Sequence, residues 1–266
     1  MHRRDLSKLL GAAAALAALR SSPAVQASTQ SGTATPSAAA TIGMLVFPGM
    51  TALDLIGPQQ FFAVAPGYTT HLLWKTREPV VSDSGVPILP TATFDEAPED
   101  LEILFIPGGF GGTGAVIEDQ QVLDFVARRG ERASYVTSVC TGALILGAAG
   151  LLQGYQATTH WAYHELLPLV GAEPVAARVV TDRNRITGGG VTSGIDFGLT
   201  LLARLAGEEY AQGWQLGTEY DPHPPFDAGT PATAGAFLEG EVLKVLGPRV
   251  ESVRQALLGS PGHVDG

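Results

Sequence analysis

The chain has one cysteine, Cys140, set in Tyr135-Val136-Thr137-Ser138-Val139-Cys140-Thr141-Gly142-Ala143, where a strand-like run gives way to small residues. A thiol on a sharp strand-to-helix turn projects out of its sheet and meets the partial positive charge of a helix N-terminus, which favours thiolate. Gly142 and Ala143 leave space around such a turn. The expectation is an ionised sulfur, reachable at the mouth of a cleft, with a carboxyl group close enough to exchange protons with it. The alternative is a packed, inert core cysteine, which the residue count alone favours. No intramolecular disulfide can form.

Asp54 stands between Leu53 and Leu55. A carboxylate so placed is either a helix cap or a partly buried acid, and a buried acid beside a thiol would have a raised pKa and could carry protons. Leu101 to Ile106 runs into Pro107-Gly108-Gly109. Backbone amides at Gly108 and Gly109 could point at an anion as an oxyanion hole, or could simply make a tight turn. The same stretch contains a literal Gly-x-Gly-x-x-Gly, Gly109-Phe110-Gly111-Gly112-Thr113-Gly114. A dinucleotide site needs an acidic residue ending the next strand, and that strand ends in Cys140, so the cofactor reading is weak. His160-Trp161 follows the next short strand, and His160 either pairs with the cysteine or is structural. Where His164-Glu165 would need a second histidine to bind zinc stands Pro168. Neither a metal nor an organic cofactor is expected.

These residues must be positioned by alternating strands and helices. Ile42–Phe47, Thr69–Lys75, Leu101–Ile106, Tyr135–Val139 and Ala157–Thr159 read as strands, with Val80–Leu89 a hairpin and Val175–Thr181 with Arg185–Ile186 a strand pair. Leu53–Ala65, Gln120–Arg129, Thr141–Ala149, Trp161–Leu169, Thr192–Ala206, Glu208–Tyr220 and Ala234–Leu246 read as helices, although Pro58 fits only near a helix start. Asp221 to Pro231 is a Pro-rich arm. The order implies an α/β fold with a mostly parallel sheet covered on both faces, and sites where strands end and helices begin.

Hydrophobic residues make up 45% of the 266 and charged residues 16%, enough for one sizeable core. The net charge of −10 disfavours nucleic acid as a partner and leaves a small neutral substrate open. At the N-terminus, Arg3-Arg4-Asp5-Leu6-Ser7-Lys8 precedes an alanine-rich run from Leu9 to Leu19 and Val25-Gln26-Ala27. That order predicts a twin-arginine signal over 1–27, a flexible linker over 28–41 and a single domain over 42–266. The protein would then be exported, periplasmic or secreted. The apolar run is too short for a stable membrane span.

In order along the chain, Asp54-Leu55-Ile56-Gly57-Pro58, Ile106-Pro107-Gly108-Gly109, Val139-Cys140-Thr141-Gly142-Ala143, Ala157-Thr158-Thr159-His160-Trp161 and Thr187-Gly188-Gly189-Gly190 resemble the ThiJ/PfpI superfamily, related to class I glutamine amidotransferases. The resemblance covers about residues 42–235 and implies a flavodoxin-like three-layer α/β/α sandwich. Cys-Thr-Gly, the aspartate in Leu-Asp-Leu and the late Pro-Pro-Phe arm look like isonitrile hydratases. The resemblance implies Cys140 as nucleophile, Asp54 as acid/base partner, Thr141 as supporting hydroxyl, and Gly108 and Gly109 as site-lining amides. It also implies Ile195 packed near the cysteine, a small-molecule substrate and a homodimer; His160, from the residue reading, stands as a further candidate for the substrate site. Such hydratases are generally cytosolic, which pulls against the export reading. Three other readings stand beside it: a non-catalytic sensing domain as in AraC-type regulators, another thiol hydrolase or glyoxalase-type enzyme, and a redox sensor. Only one helix and a short tail are expected after residue 233, too little for a helix-turn-helix half.

Overall fold

A computed structural model describes residues 39–264. The expected signal over 1–27 and most of the linker over 28–41 lie outside the described residues. The strands, in chain order, are β1 (Ala40–Leu45), β2 (Tyr68–Trp74), β3 (Val80–Val81), β4 (Pro87–Ile88), β5 (Ala92–Thr93), β6 (Ile103–Ile106), β7 (Tyr135–Val139), β8 (Gln156–Ala157), β9 (Glu173–Pro174), β10 (Val179–Asp182) and β11 (Arg185–Gly188). Seven of them form one sheet in the order β10-β11-β7-β6-β1-β2-β5, all parallel except the β10–β11 pair. The helices are α1 (Ala52–Phe62), α2 (Thr113–Ile117), α3 (Gln120–Arg132), α4 (Gly142–Ala148), α5 (Ser193–Ala206), α6 (Glu208–Gly217) and α7 (Pro231–Leu258), with a 3₁₀ helix at Trp161–Val170. This is the flavodoxin-like three-layer α/β/α sandwich, with helices against a mostly parallel sheet.

The strands at the centre of the sheet are apolar because helices cover both faces. β6 is wholly buried, as are Ile42, Met44 and Leu45 of β1 and Val136 and Val139 of β7. β7 nevertheless carries Thr137 and Ser138 inside, and Thr137 stays soluble in that core by donating its hydroxyl to the Leu104 carbonyl at 3.0 Å. α3 shows the local rules plainly. Asp119 caps it by accepting from Val122 N–H, Val122, Leu123, Phe125 and Val126 form its buried stripe, and Arg129 and Arg132 sit in its last turn.

Several elements depart from the sequence reading. α1 carries Pro58 well inside it rather than near its start. The proline lacks the N–H that would bond the Asp54 carbonyl one turn back, and Pro58 instead packs against Gly194 and Gly198 of α5. The helix expected over 161–169 winds as 3₁₀ with Pro168 inside it. The last helix runs to Leu258 past Pro248, because Val250, Val253, Ala256 and Leu257 bury their side chains and tertiary packing outweighs local propensity. The short α2 and β5 carry no signal of their own in the sequence.

Two close approaches hold the end of β7 against the end of β6. A Cβ at Gly142 would lie 2.2 Å from the Ile106 carbonyl oxygen, and one at Gly108 would lie 2.5 Å from Thr141 N and 2.8 Å from the Cys140 Cβ. Backbone cannot retreat as a side-chain tip can. Gly142→Ala should therefore cost about 1–3 kcal/mol or more, read as a lower denaturant midpoint, whereas alanine at Gly217, with open space around it, should leave the midpoint near wild type.

Candidate active site

Cys140 is the residue between β7 and α4, and its φ of +56° is unusual for a residue with a Cβ. Three hydrogen bonds pin it there. Its N–H lies 3.0 Å from the Gly188 carbonyl oxygen and 2.9 Å from that of Gly189, and its own carbonyl accepts the Thr159 hydroxyl at 2.8 Å. A backbone conformation costing on the order of 1–2 kcal/mol persists because the end of β11 and the start of the 3₁₀ segment both hold it.

The structure places Asp54, from the first turn of α1, against that cysteine. Asp54 is 0% exposed. Its Oδ2 accepts Gly108 N–H at 3.1 Å, and its Oδ1 has no N–H or O–H partner. Burial drives the carboxyl pKa up to about 7; hydrogen bonding to the Cys140 thiol and to Gly108 N–H opposes that rise, and the nearby Asp83 carboxylate adds to it. The carboxyl is a buried acid, and Thr51 rather than Asp54 occupies the cap position of α1.

The thiol departs from the expected ionised, reachable sulfur. Cys140 is 0% exposed, and its burial, then the negative charge of Asp54, push its pKa well above the ordinary thiol value. The N–H groups of Val191 and Thr141 face the sulfur and act in the opposite direction, but do not win. α4 is only seven residues long, and its dipole does not offset the desolvation. The resting sulfur is a neutral thiol beside a carboxyl group that titrates near neutrality.

Gly108 and Gly109 sit beside this pair, yet neither amide is free to receive an oxyanion. Gly108 N–H is held by Asp54, and Gly109 N–H by the Thr141 hydroxyl at 2.9 Å. Thr113 completes the arrangement. Its hydroxyl donates to the Gly109 carbonyl at 2.8 Å, so the 2.7 Å contact between the two threonine hydroxyls must run from Thr141 to Thr113. Gly109, Thr141 and Thr113 thus close a ring of hydrogen bonds, and the Thr141 proton is committed to it. Thr113 falls inside the Gly-x-Gly-x-x-Gly string and contributes its hydroxyl to this ring.

His160 lies near the site without joining the pair, and no hydrogen bond connects it to Cys140. Its Nδ1 accepts from Ala162 N–H at 3.3 Å, and burial lowers its pKa to about 4, so the ring is neutral and carries its proton on Nε2. Phe110 meets it edge-on at 5.0 Å. The ring borders two cavities. One, of about 630 Å³, is walled by Thr158–Trp161, Ala176–Arg178, Gly189–Ser193 and the end of the arm at Gly229–Pro231. The other, of about 450 Å³, is lined by Phe110, His160 and α7. Cys140 lines neither; Val191, whose amide faces the sulfur, lines the larger.

Ile195 is a correction. It packs over Gly57 with the smaller cluster around Phe61 and Leu202, whereas Cys140 belongs to the main core. Val191 is the residue of that segment that meets the sulfur, and the sequence offers only the preceding glycines as a hint of a close approach there. Among the described residues no group of three or more His, Cys, Asp or Glu side chains could hold a metal ion.

A model of the DJ-1/PfpI family matches residues 40–204. The chain is 51% identical over 210 residues to an isonitrile hydratase of Pseudomonas putida, covering 79% of this chain and 91% of that one. It is 32% identical over 180 residues to the HTH-type transcriptional regulator GbdR of Pseudomonas aeruginosa, covering 63% of this chain and 47% of the regulator. Among solved structures, a THiJ/PfpI family protein from Pseudomonas syringae superposes with a TM-score of 0.80 at 49% identity, covering 82% of this chain and 90% of that one. The similarity to an isonitrile hydratase, a group whose resemblance carries a cytosolic setting, corrects the reading of a twin-arginine signal and a periplasmic or secreted enzyme.

The Asp54 pKa has a consequence for stability. An unfolded aspartate titrates near 4 and the folded one near 7, so keeping the ionised group buried costs folding free energy. That cost is absent below about pH 4, grows as pH rises to about 7, and is constant above. Asp54→Asn is neutral throughout and can still accept from Gly108 N–H. Relative to wild type it should gain a few kcal/mol, roughly, across that window. Denaturant midpoints of both proteins from pH 4 to 8 test this; a difference that does not change with pH contradicts it.

Proposed function

The chain belongs to the DJ-1/PfpI family, and we propose that it is an isonitrile hydratase that turns R–N≡C into an N-substituted formamide through a covalent bond to Cys140. The observation that carries this reading is the thiol–carboxyl pair: one sulfur and one acid, both withdrawn from water, sharing a hydrogen bond. The similarity to a named isonitrile hydratase supports the substrate class.

The pair is competent when it holds one proton. The Asp54 carboxylate, made more basic by burial, takes the thiol proton as sulfur attacks the terminal carbon. Val191 and Thr141 N–H groups hold the charge on sulfur during the attack. Asp54 then returns the proton to that carbon, giving R–N=CH–S–Cys140. In the second half, Asp54 takes a proton from water as the oxygen adds to the carbon, and the nitrogen receives that proton. The adduct R–NH–CH(OH)–S–Cys140 collapses as the carbon–sulfur bond breaks and the hydroxyl proton passes back to the pair. The products are R–NH–CHO and the free thiol, one water consumed. Thr141 and Thr113 hold the Gly109 turn in place, and Gly108 orients the carboxyl through its N–H.

Incubation with an alkyl isonitrile, following formamide, tests the reading. Cys140→Ala should abolish product. Asp54→Asn should lower kcat by about 10²–10⁴-fold, the usual range for a lost acid–base group. Below about pH 7 the free pair holds two protons and lacks its base. kcat/KM should therefore fall about tenfold per pH unit on the acid side, with an apparent pKa near 7 that belongs to the pair. An acid limb unchanged in Asp54→Asn would remove Asp54 from the chemistry. The similarity to GbdR favours one other reading, a sensing domain; it predicts that an isonitrile or another small molecule binds with no product formed.

The same reading includes a homodimer. α7 exposes Phe237 (77%) and Val245 (63%), together with Leu238, Val242 and Leu243, an apolar stretch that a second copy of this chain would cover. Sedimentation equilibrium should give twice the chain mass, and Val245→Asp should shift the protein toward monomer. Monomer at all concentrations refutes it.

A further inference from the structure

Tyr163 is a group the chemistry above does not use. It lies in the 3₁₀ helix, is 0% exposed, and its hydroxyl has no hydrogen-bond partner. Buried hydroxyls are ordinarily satisfied, and each exception calls for an explanation. The location supplies one. Tyr163 N–H is bonded to the His160 carbonyl, and the residue before His160, Thr159, is bonded to the Cys140 carbonyl. The phenol ring stands edge-on to His160 at 5.9 Å and 6.4 Å from Phe110, the two rings that border the cavities. Cys140 and Arg249 both act on the phenol electrostatically. His160 is neutral and its Nδ1 accepts from Ala162 N–H, so Nε2–H is its remaining donor.

We infer that the Tyr163 hydroxyl is a hydrogen-bond donor kept for the nitrogen of the sulfur-bound intermediate, R–N=CH–S–Cys140. The inference rests on the hydratase reading and adds a residue to it. The hydrogen bond draws electron density toward nitrogen as water adds to the carbon, so it assists the second half of the reaction and not the attack by sulfur. The proton stays on Tyr163 throughout, and Asp54 remains the proton carrier. Burial raises the phenol pKa to about 12, which keeps the donor protonated over the pH range in which the thiol–carboxyl pair works. In the resting protein the hydroxyl is desolvated with nothing to bond, an arrangement that disfavours the folded state and is relieved when the intermediate forms.

Tyr163→Phe deletes the hydroxyl and leaves the ring. With an alkyl isonitrile as substrate, the variant should melt at or above the wild-type temperature, lose on the order of 10²-fold in kcat, and accumulate a Cys140 adduct heavier by one isonitrile in intact-protein mass spectra taken during turnover. Turnover within twofold of wild type overturns the inference. So does a lowered melting temperature with slower turnover and no adduct, the pattern of a merely structural tyrosine. A wild-type protein inert on isonitriles is a separate failure, that of the hydratase reading itself.

Discussion

The arrangement of the site depends on placing one carboxyl group and one thiol in a space that excludes water. The carboxylate raises the cost of ionising the thiol, while the thiol's hydrogen bond eases ionisation of the carboxyl. Burial lifts both pKa values, and a negative charge on Asp54 lifts the thiol further. Neither group is stabilised by water when charged, and in the proposed reaction moving the proton from sulfur to carboxylate would create a strong nucleophile without exposing a resting thiolate. A solvent-exposed thiolate would react with passing oxidants; a neutral buried thiol with a base at hand does so far less. Local electrostatics and access to the sulfur are set by the same burial.

Much of the surrounding structure serves to hold that pair in register. Asp54 comes from the helix after the first strand, and Cys140 from a turn more than eighty residues later. They meet because β1, β6 and β7 are neighbours in the sheet and their C-terminal ends share one edge. Gly108, at the end of the strand between them, supplies the N–H that orients Asp54, and its missing side chain lets Cys140 and Thr141 approach. The ring through Gly109, Thr141 and Thr113 then fixes the next turn. A small set of backbone groups thus replaces what a solvated site would leave to water.

The mostly parallel sheet and the position of the cysteine turn were legible in the sequence, from apolar runs ended by glycine and a thiol between strand and small-residue helix. Local pattern left Asp54 as either a cap or a buried acid, and its role beside Cys140 entered through the family resemblance. What could not be read depends on contacts between distant segments. Nothing near Gly108 and Gly109 says that their amides are already occupied, since the partners lie 54 and 32 residues away. The balance between a helix dipole and desolvation at Cys140 is likewise set by the packed neighbours. Ile195 and Val191 are both apolar residues beside the glycines of the same segment, and only the fold decides which one meets the sulfur. The continuation of α7 through Pro248 shows burial overriding a local stop signal.

A buried pair of this kind constrains what can be bound. A charged substrate entering beside Asp54 would be desolvated against an unpaired carboxylate oxygen, Oδ1, and a second anion would be repelled by it. A neutral, weakly hydrated molecule avoids both penalties, and in the proposed reaction its terminal carbon receives the thiol proton by way of Asp54. The neutral state of His160 fits the same demand, because a charged imidazole at the border of both cavities would draw water toward the sulfur. The polar groups facing the thiol are backbone N–H donors that carry no net charge. Such an environment suits the proposed substrate, which becomes polar only once bonded to sulfur.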